Sequence, residues 1–250
     1  MRLNVFLQKS GIGSRREAER MIADGRVSIN GKVAKVTDPA NEGDVVTLDG
    51  KAVAVETRPV PRLFLLNKPL DVLVTTFDKE GRSTIFELPN LSQPRWGDRP
   101  RVMNVGRLDV NSEGLLLLSS DGQLAQAMMA PATGLERTYR VRVHGRLTPE
   151  QIKRLAGGVT ADGVVYRGAR VTEDREPSGR NTWYTIVLTE GKNREIRKLM
   201  EHFGCVVNRL IRTQYGDFLL GNLEPGQVHE VPPTKVKLLI EDLRKRGAKL

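Results

Sequence analysis

The sequence contains little cysteine, histidine or aromatic residue, and it has no long apolar run. Cys205 is the single cysteine among 250 residues, which excludes an internal disulfide and is typical of a reducing compartment. The three histidines are scattered, so with one cysteine they offer no spacing suited to zinc. Apolar runs such as 115–118 fall far short of the roughly 20 residues of a membrane helix, and residues 1–5 lack the apolar core of a secretion signal. We therefore expect a cytoplasmic protein without a membrane segment or a metal.

Basic residues are in excess, because 40 Lys and Arg against 30 Asp and Glu give a formal net charge of +10. Such an excess is typical of proteins that bind a polyanion, although a basic surface can also serve solubility alone. Aromatic residues make up only 5%, which disfavours single-strand binding based mainly on base stacking. Residues 1–36 hold eight bases and three acids, a net of +5, whereas residues 37–57 hold one base and five acids, a net of −4. The positive charge is therefore concentrated in the first segment.

The first 36 residues predict two short helices followed by a hairpin. Apolar residues at 3–7 have helical spacing, and Ser14 with Glu17 forms a capping-box pattern at the start of a second helix. A strand pattern with a glycine turn follows at 26–36. Three bases fall on the polar face of the second helix: Arg15, Arg16 and Arg20. This face could lie along RNA phosphates, or it could simply be solvated.

This segment resembles the alpha-L RNA-binding module, which is named after a small-subunit ribosomal protein. The resemblance rests on Ser-Arg-Arg-Glu-Ala at 14–18 and on Gly-Arg-Val-Ser-Ile-Asn-Gly at 25–31, and it covers about residues 1–48. It implies contact with RNA through four bases: Arg15, Arg16, Arg20 and Lys32. Two prolines within 57–62 indicate the linker that follows.

The rest of the chain predicts an α+β domain with a mainly antiparallel sheet. Four segments predict strands: 63–66, 115–118, 138–143 and 183–188. Three segments predict helices: 124–128, 196–203 and 236–243. Asn67-Lys68-Pro69 is expected to end the first strand. Several strands among few, irregularly spaced helices favour this class over a doubly wound sheet.

A single acid, Asp109, stands out in a loop between two apolar stretches. Gly106 and Gly114 flank it and would let backbone or ligand approach closely. A carboxylate fixed just before a buried strand suits a nucleophile or a general base, but an ordinary turn carboxylate fits the same local sequence. The signatures of phosphate-binding loops, zinc proteases and serine hydrolases are absent. The residues alone therefore leave the role of Asp109 open.

Four motifs in this larger part resemble those of pseudouridine synthases of the RsuA/RluB family. In the family's order, the motifs occupy residues 67–69, 106–118, 136–141 and 190–197. Together with the N-terminal module, the resemblance covers about residues 1–231. It departs from the family at Leu70-Asp71, where the family usually has a glycine two residues after the proline.

The resemblance implies an isomerase that detaches a uridine base in RNA, rotates it and rejoins it through carbon, with no cofactor. It implies that Asp109 is the nucleophile, that Tyr139 packs on the target base, and that Arg197 pairs with Asp109. Periodicity alone would make Tyr139 a core residue, since it shares a strand face with two valines. Arg194 is expected to meet phosphate or solvent, and Arg107 to line the site or to contact the RNA backbone.

We expect an RNA-binding domain with its linker over 1–60, a catalytic domain over 61–235, and a C-terminal helix with a basic tail over 236–250. The implied substrate is a specific uridine of ribosomal RNA, in free RNA or in a subunit precursor, and the large subunit is favoured over the small one. The protein is expected to be monomeric. Two other functions stay open: a non-catalytic rRNA-binding assembly factor, and a nucleosidase or glycosylase that uses Asp109 with water.

Overall fold

The computed structural model describes residues 1–41, 43–53, 61–92, 97, 99–174 and 180–250. The chain divides into two compact units, Met1–Val60 and Pro61–Leu250. One hydrophobic cluster forms the core of the first unit, and two clusters form the core of the second. Within the described ranges, no helix combines the length and the apolar character that spanning a membrane requires.

The described part of the N-terminal unit packs two helices on a four-stranded antiparallel sheet. The helices are α1 (Leu3–Lys9) and α2 (Arg15–Ala23), and the strands are β1 (Val27–Ile29), β2 (Lys32–Val33), β3 (Val46–Leu48) and β4 (Lys51–Val53). The strand order is β2-β1-β3-β4. Ser14 and Glu17 form the predicted capping box, and the predicted hairpin is present as β1 and β2. Strands β3 and β4 were not predicted, because three residues are too few for a periodicity to stand out.

The larger unit contains four helices and eleven strands within the described residues. The helices are α3 (Gly122–Met129), α4 (Pro149–Gly157), α5 (Glu195–His202) and α6 (Pro233–Lys245). The strands are β5 (Leu63–Lys68), β6 (Met103–Val105), β7 (Glu113–Ser119), β8 (Arg137–His144), β9 (Val159–Ala161), β10 (Val164–Tyr166), β11 (Arg170–Glu173), β12 (Asn181–Leu188), β13 (Val206–Tyr215), β14 (Phe218–Leu219) and β15 (Val228–Glu230).

Nine of these strands form one sheet in the described part of the chain. The main order is β11-β12-β8-β13-β7-β5-β15, with β14 beside β13 and β6 beside β7, while β9 and β10 form a separate hairpin. Each pair of neighbouring strands is antiparallel except β7 with β13, which is parallel. The predicted α+β class with a mixed, mainly antiparallel sheet is thus confirmed.

The run of four leucines in β7 reflects burial on both faces of the sheet. Leu116 and Leu118 belong to the cluster that α5 completes, whereas Leu115 and Leu117 belong to the cluster that α3 and α6 complete. A strand that is covered on both faces carries a continuous apolar run instead of an alternation. Burying each leucine contributes about 1.5–3 kcal/mol, so β7 is a rigid support for the turn that precedes it.

One local prediction differs from the structure, and one long strand was missed. Strand β5 does not stop before Asn67 but continues to Lys68, because both residues pair with β7 and the lysine ammonium donates to backbone carbonyls inside the unit. Strand β13 was not predicted. Its pairing with β8 shifts register between Val207 and Arg209 and again between Arg212 and Gln214, and these two irregularities hide the two-residue period that marks a strand.

Candidate active site

Asp109 lies in the turn between β6 and β7, and its side chain is 33% exposed. The backbone N–H of Ser112 donates to the Asp109 carbonyl at 3.0 Å and closes the turn. The N–H of Asp71 donates to the carbonyl of Val110 at 3.1 Å and ties the turn to the segment after β5. The backbone on the C-terminal side of Asp109 is therefore fixed, while the carboxylate stays accessible to a ligand.

The side chain of a fully buried lysine also holds this turn in place. Lys68 has no exposed surface, and its ammonium donates to the carbonyls of Pro69 at 2.8 Å, Val110 at 3.3 Å and Ser112 at 2.8 Å. Burial lowers the pKa of Lys68 to about 8, although the nearby carboxylates, including that of Asp109, favour its charged form. Two of these carbonyls belong to the turn, so the buried ammonium stiffens it and also places a positive charge near the carboxylate of Asp109.

Gly114 allows the strand after the turn to lie against β13. Its φ of +99° is in the region that side chains rarely adopt, and a Cβ there would lie 2.4 Å from the carbonyl oxygen of Arg212. Gly114 pairs directly with Arg212 in the parallel ladder, and the Arg212 guanidinium donates to the Leu115 carbonyl at 2.6 Å. The close backbone approach expected of this glycine is present, and it sets where the Asp109 turn meets the sheet.

Arg194 is the cation that ion-pairs with Asp109. Its Nη1 lies 3.7 Å from Oδ2 of Asp109, and its φ of 51° places it in a left-handed conformation at the residue that precedes α5. This ion pair was not expected from the sequence, whereas contact of Arg194 with phosphate stays a prediction. Its side chain is half-exposed, so it can exchange Asp109 for another anion.

Arg197 holds the backbone of the turn instead of the carboxylate. Its guanidinium donates to the carbonyls of Asn111 at 2.7 Å and Val207 at 3.1 Å. Among the described residues it forms no ion pair with Asp109 within 4 Å, which corrects the expected pairing. Burial lowers the pKa of Arg197, Arg194 adds to this effect, and Asp109 opposes it. Arg197 is thus near enough to Asp109 for their charges to interact, but two backbone carbonyls hold its guanidinium.

Tyr139 lies on β8, two strands from β7. It pairs with Arg212 of β13, which in turn pairs with Gly114, so about 10 Å of sheet separates Tyr139 from the end of the turn. Its side chain is 9% exposed and belongs to the cluster that also contains Ile196 and Leu199 of α5. The structure therefore places Tyr139 at the level of the Asp109 turn, within the core layer that supports α5.

The remaining bases expected to bind RNA are all exposed. Arg107 lies in the turn itself and, within the described ranges, forms no ion pair. In the N-terminal unit α2 buries Ala18 and Ile22 and leaves its arginines exposed. The exposed bases of that unit are Arg15, Arg16, Arg20 and Lys32. Of these, Arg15 donates to the side-chain oxygen of Gln8 at 3.1 Å.

Sequence reasoning missed the residues that hold the site in place. Lys68 was treated as part of a strand end; if the strand is continued, its two-residue period places Lys68 on the same face as Phe64 and Leu66, which lie in the core. Asn111 and Val207 contribute only backbone carbonyls, for which no side-chain pattern exists. Among the described residues, no three His, Cys, Asp or Glu side chains gather as a metal site would require.

Comparison with known proteins identifies the family. The profile of RNA pseudouridylate synthases matches residues 62–202, and that of the S4 domain matches residues 1–46. A Rickettsia bellii protein described as an uncharacterized RNA pseudouridine synthase is 42% identical over 232 residues, which cover 92% of this chain and 96% of the relative. The chain belongs to the RNA pseudouridylate synthase family. The resemblances drawn from its motifs are thus confirmed for both parts of the chain.

Two further similarities define how far the match extends. The ribosomal large subunit pseudouridine synthase B of Pseudomonas aeruginosa is 39% identical over 246 residues, which are 97% of this chain but only 62% of that protein. The chain thus spans less than two thirds of this relative. A solved structure described as a pseudouridylate synthase superposes with a TM-score of 0.65 and covers 96% of this chain and 99% of its own. Its sequence identity is 23%, so it supports the fold alone.

Proposed function

We propose that this synthase-family protein converts a uridine of ribosomal RNA into pseudouridine, with Asp109 as the nucleophile. The observation that carries the proposal is the accessible carboxylate of Asp109, which lies on a turn that the buried Lys68 ammonium holds in place. Arg194 pairs with this carboxylate, and Arg197 holds the backbone beside it. These are the features that a nucleophile needs: it is paired with a cation, fixed in position and reachable.

The reaction is an isomerisation in which all atoms stay in the substrate. Asp109 forms a transient covalent adduct with the ribose or the base, and the bond between N1 and C1′ breaks. After the base rotates, C5 bonds to C1′, C5 loses its proton and N1 gains one, so the carboxylate is released unchanged. No redox or hydrolytic step is required, and no cofactor enters this scheme.

The two arginines and the tyrosine take different parts in this proposal. Arg194 pairs with the carboxylate of Asp109 until substrate enters, and Arg197 keeps the turn in place through the Asn111 carbonyl. Tyr139 would pack on the target base and assist removal of the C5 proton, which requires its ring to be reached through the edge of the core. Arg107 is exposed on the same turn and would contact the RNA backbone.

A uridine in structured RNA reaches a carboxylate only after it leaves its base stack, which costs a few kcal/mol. Contacts with the flanking phosphates can offset that cost, because binding energy from parts of the substrate that do not react can be used at the reacting group. We propose that residues 1–60 supply such contacts through Arg15, Arg16, Arg20 and Lys32. Residues 61–235 would then carry the reaction, and α6 with the tail to residue 250 would complete that unit's core.

Large-subunit ribosomal RNA is the substrate that the comparisons favour. The support is the 39% identity over 97% of this chain to the Pseudomonas aeruginosa protein named as a large-subunit synthase. Ribosomal RNA or a subunit precursor as partner would place the protein in the cytoplasm. Small-subunit RNA is the alternative that the same experiment distinguishes.

The test is to map pseudouridines in ribosomal RNA from cells with and without this protein, and to repeat the mapping with Asp109→Asn. We expect one site to be lost in both cases, and its position names the subunit. Unchanged pseudouridines in both cases would indicate an assembly factor. Free uracil among the products of the purified protein would indicate a glycosylase, since an isomerase releases no base.

A further inference from the structure

Two buried carboxyl groups lie side by side in the turn that leads into α5. Glu190 and Glu195 are 6% and 4% exposed, and Lys192 binds both: its ammonium donates to Glu190 and its backbone N–H donates to Glu195, each at 2.8 Å. Among the described residues, Oε1 of Glu195 has no hydrogen-bond partner, and no cation forms an ion pair with its carboxyl group. A buried carboxyl group that no cation neutralises takes up a proton, so we expect one proton on this pair.

The cations beside the pair neutralise Glu190 and leave Glu195 without a partner charge. The Lys192 ammonium donates to Glu190 at 2.8 Å, and Nε of Arg167, from the segment after β10, lies 3.9 Å from the same group. In the described part of the chain these are the cations within 4 Å of the pair, and both approach Glu190. Glu195 accepts from the backbone N–H of Lys192, at 2.8 Å.

The two pKa values diverge accordingly. Burial raises the pKa of Glu195 to about 7, and the neighbouring charge of Glu190 adds to this effect. Burial also pushes the pKa of Glu190 upward, but its hydrogen bonds from Lys192 and from the Arg167 N–H outweigh this and leave it below the ordinary value. The proton therefore resides on Glu195 and is shared with Glu190.

The pair fixes the turn that presents Arg194 to Asp109. Glu195 binds the N–H of Lys192 on one side of Arg194, and Glu190 binds the Lys192 ammonium and the N–H of Arg167. The Arg194 side chain makes no capping hydrogen bond to α5. Its left-handed backbone conformation is one that residues other than glycine rarely adopt. The conformation of Arg194 thus depends on bonds that the two carboxyl groups make.

We propose that Glu190 and Glu195 share one proton and that this singly charged pair positions Arg194 against Asp109. Both are positioning residues that act through Arg194, and the inference rests on the proposed function of Asp109. When the shared proton is lost, two buried like charges repel each other, the turn opens and Arg194 leaves Asp109. The protein would then lose activity as the pH rises through neutrality, although no group that touches the substrate has titrated.

The test compares Glu195→Gln with Glu195→Ala in single-turnover pseudouridine formation between pH 6 and 9. The substrate is a transcript of the rRNA segment identified by mapping. The wild type is expected to lose activity above pH 7, by about tenfold per pH unit when the protonated form is required. In Glu195→Gln a carboxamide donates permanently, so this fall should move to about pH 8, where Lys68 titrates. The variant should exceed the wild type about fivefold at pH 8, and Glu195→Ala should be impaired at each pH.

Two controls separate positioning from folding. Glu201→Gln changes an exposed carboxylate of α5 and should leave the profile as in the wild type. In an Arg194→Ala background, Glu195→Gln should no longer shift the profile, because the residue through which it acts is gone. A fall near pH 7 that persists in Glu195→Gln, or a shift that persists without Arg194, would overturn the inference.

Failure of the proposed function would look different. In that case the wild type makes no pseudouridine at any pH. The shared proton is then tested by measuring how the free energy of unfolding depends on pH. A raised carboxyl pKa means that the folded state binds the proton more tightly, so wild-type stability should fall as the pH rises from about 4.5 to about 7. Glu195→Gln should lack that fall, and an identical pH dependence would refute the shared proton independently of activity.

Discussion

The Asp109 turn and the arginine face of α2 use charge in opposite ways. At the turn, the fully buried Lys68 ammonium donates to three backbone carbonyls, and a second cation, Arg197, donates to two more. On α2 the arginines are exposed. Positioning a reactive group needs fixed geometry, which buried hydrogen bonds supply, whereas attraction to phosphates needs only accessible charge. Substitutions in the two regions should therefore differ in kind and not only in size.

Asp109→Asn should have the largest effect on the reaction rate. It should also distinguish the Asp109 turn most clearly from the arginine face of α2, because it should change the rate and not RNA affinity. The carboxamide keeps the shape of the side chain but cannot form the adduct, so the single-turnover rate should fall about 10⁴-fold or more. RNA affinity, measured by gel shift at constant salt, should stay within about twofold. A rate close to the wild type would remove Asp109 from the chemistry.

Lys68→Met should damage the turn through stability as well as rate. The apolar side chain fits the volume but leaves the three carbonyls without their donor, at about 1 kcal/mol or more each. We expect a loss of about 3 kcal/mol in urea unfolding and a rate loss larger than the loss of RNA affinity. Unchanged stability would mean that water or a neighbour replaces the ammonium.

The same variant also has a signature in pH. The lowered pKa of Lys68 means that the unfolded state binds this proton more tightly between pH 8 and about 10.5. Wild-type stability should therefore gain a rising contribution across that window, and Lys68→Met should lack it. Unfolding free energies at pH 7, 8, 9 and 10 measure the difference directly.

Gly114→Ala tests whether the close approach of β7 to β13 contributes to stability beyond the effect of the glycine's backbone conformation. The added Cβ meets the Arg212 carbonyl at 2.4 Å and also forces a side chain into positive φ, so we expect a loss of about 3 kcal/mol. Gly163→Ala is the matched control, because its φ is +73° but nothing lies within 4 Å. It should lose only about 1 kcal/mol. Equal losses would assign the whole effect to backbone conformation.

The triple change Arg15→Ala, Arg16→Ala and Arg20→Ala should have the smallest effect on the reaction itself. Each lost phosphate contact reduces the slope of log affinity against log salt by about 0.7–0.9, so the loss of three contacts should reduce the slope by about 2.1–2.7. Affinity should drop about tenfold at moderate salt, while the rate at saturating RNA changes far less. Lys237→Ala, an exposed change on α6, controls for loss of charge elsewhere. A fall in rate without a change in the salt dependence of affinity would mean that these arginines position the substrate and do not bind phosphates.

Sequence patterns predicted an element correctly where a few neighbouring residues were enough to define it. The Ser14–Glu17 capping box, the leucine run of β7 and the stripe of α5 were all predicted, because each is visible within a few residues. The motifs around Asp109 also identified the family and the candidate nucleophile. Strands β3, β4 and β13 escaped because they are short or interrupted by register shifts.

The amino-acid sequence by itself determined the class of fold, the family and the acid to consider first. Only the tertiary structure decided that Arg194 reaches Asp109, that Arg197 binds carbonyls, that Lys68 is buried, and that two glutamates share a site. The physical reason is that these contacts join segments far apart in the chain, and a side chain's partner there depends on which backbone groups folding brings within hydrogen-bond distance. No spacing along the chain encodes that choice.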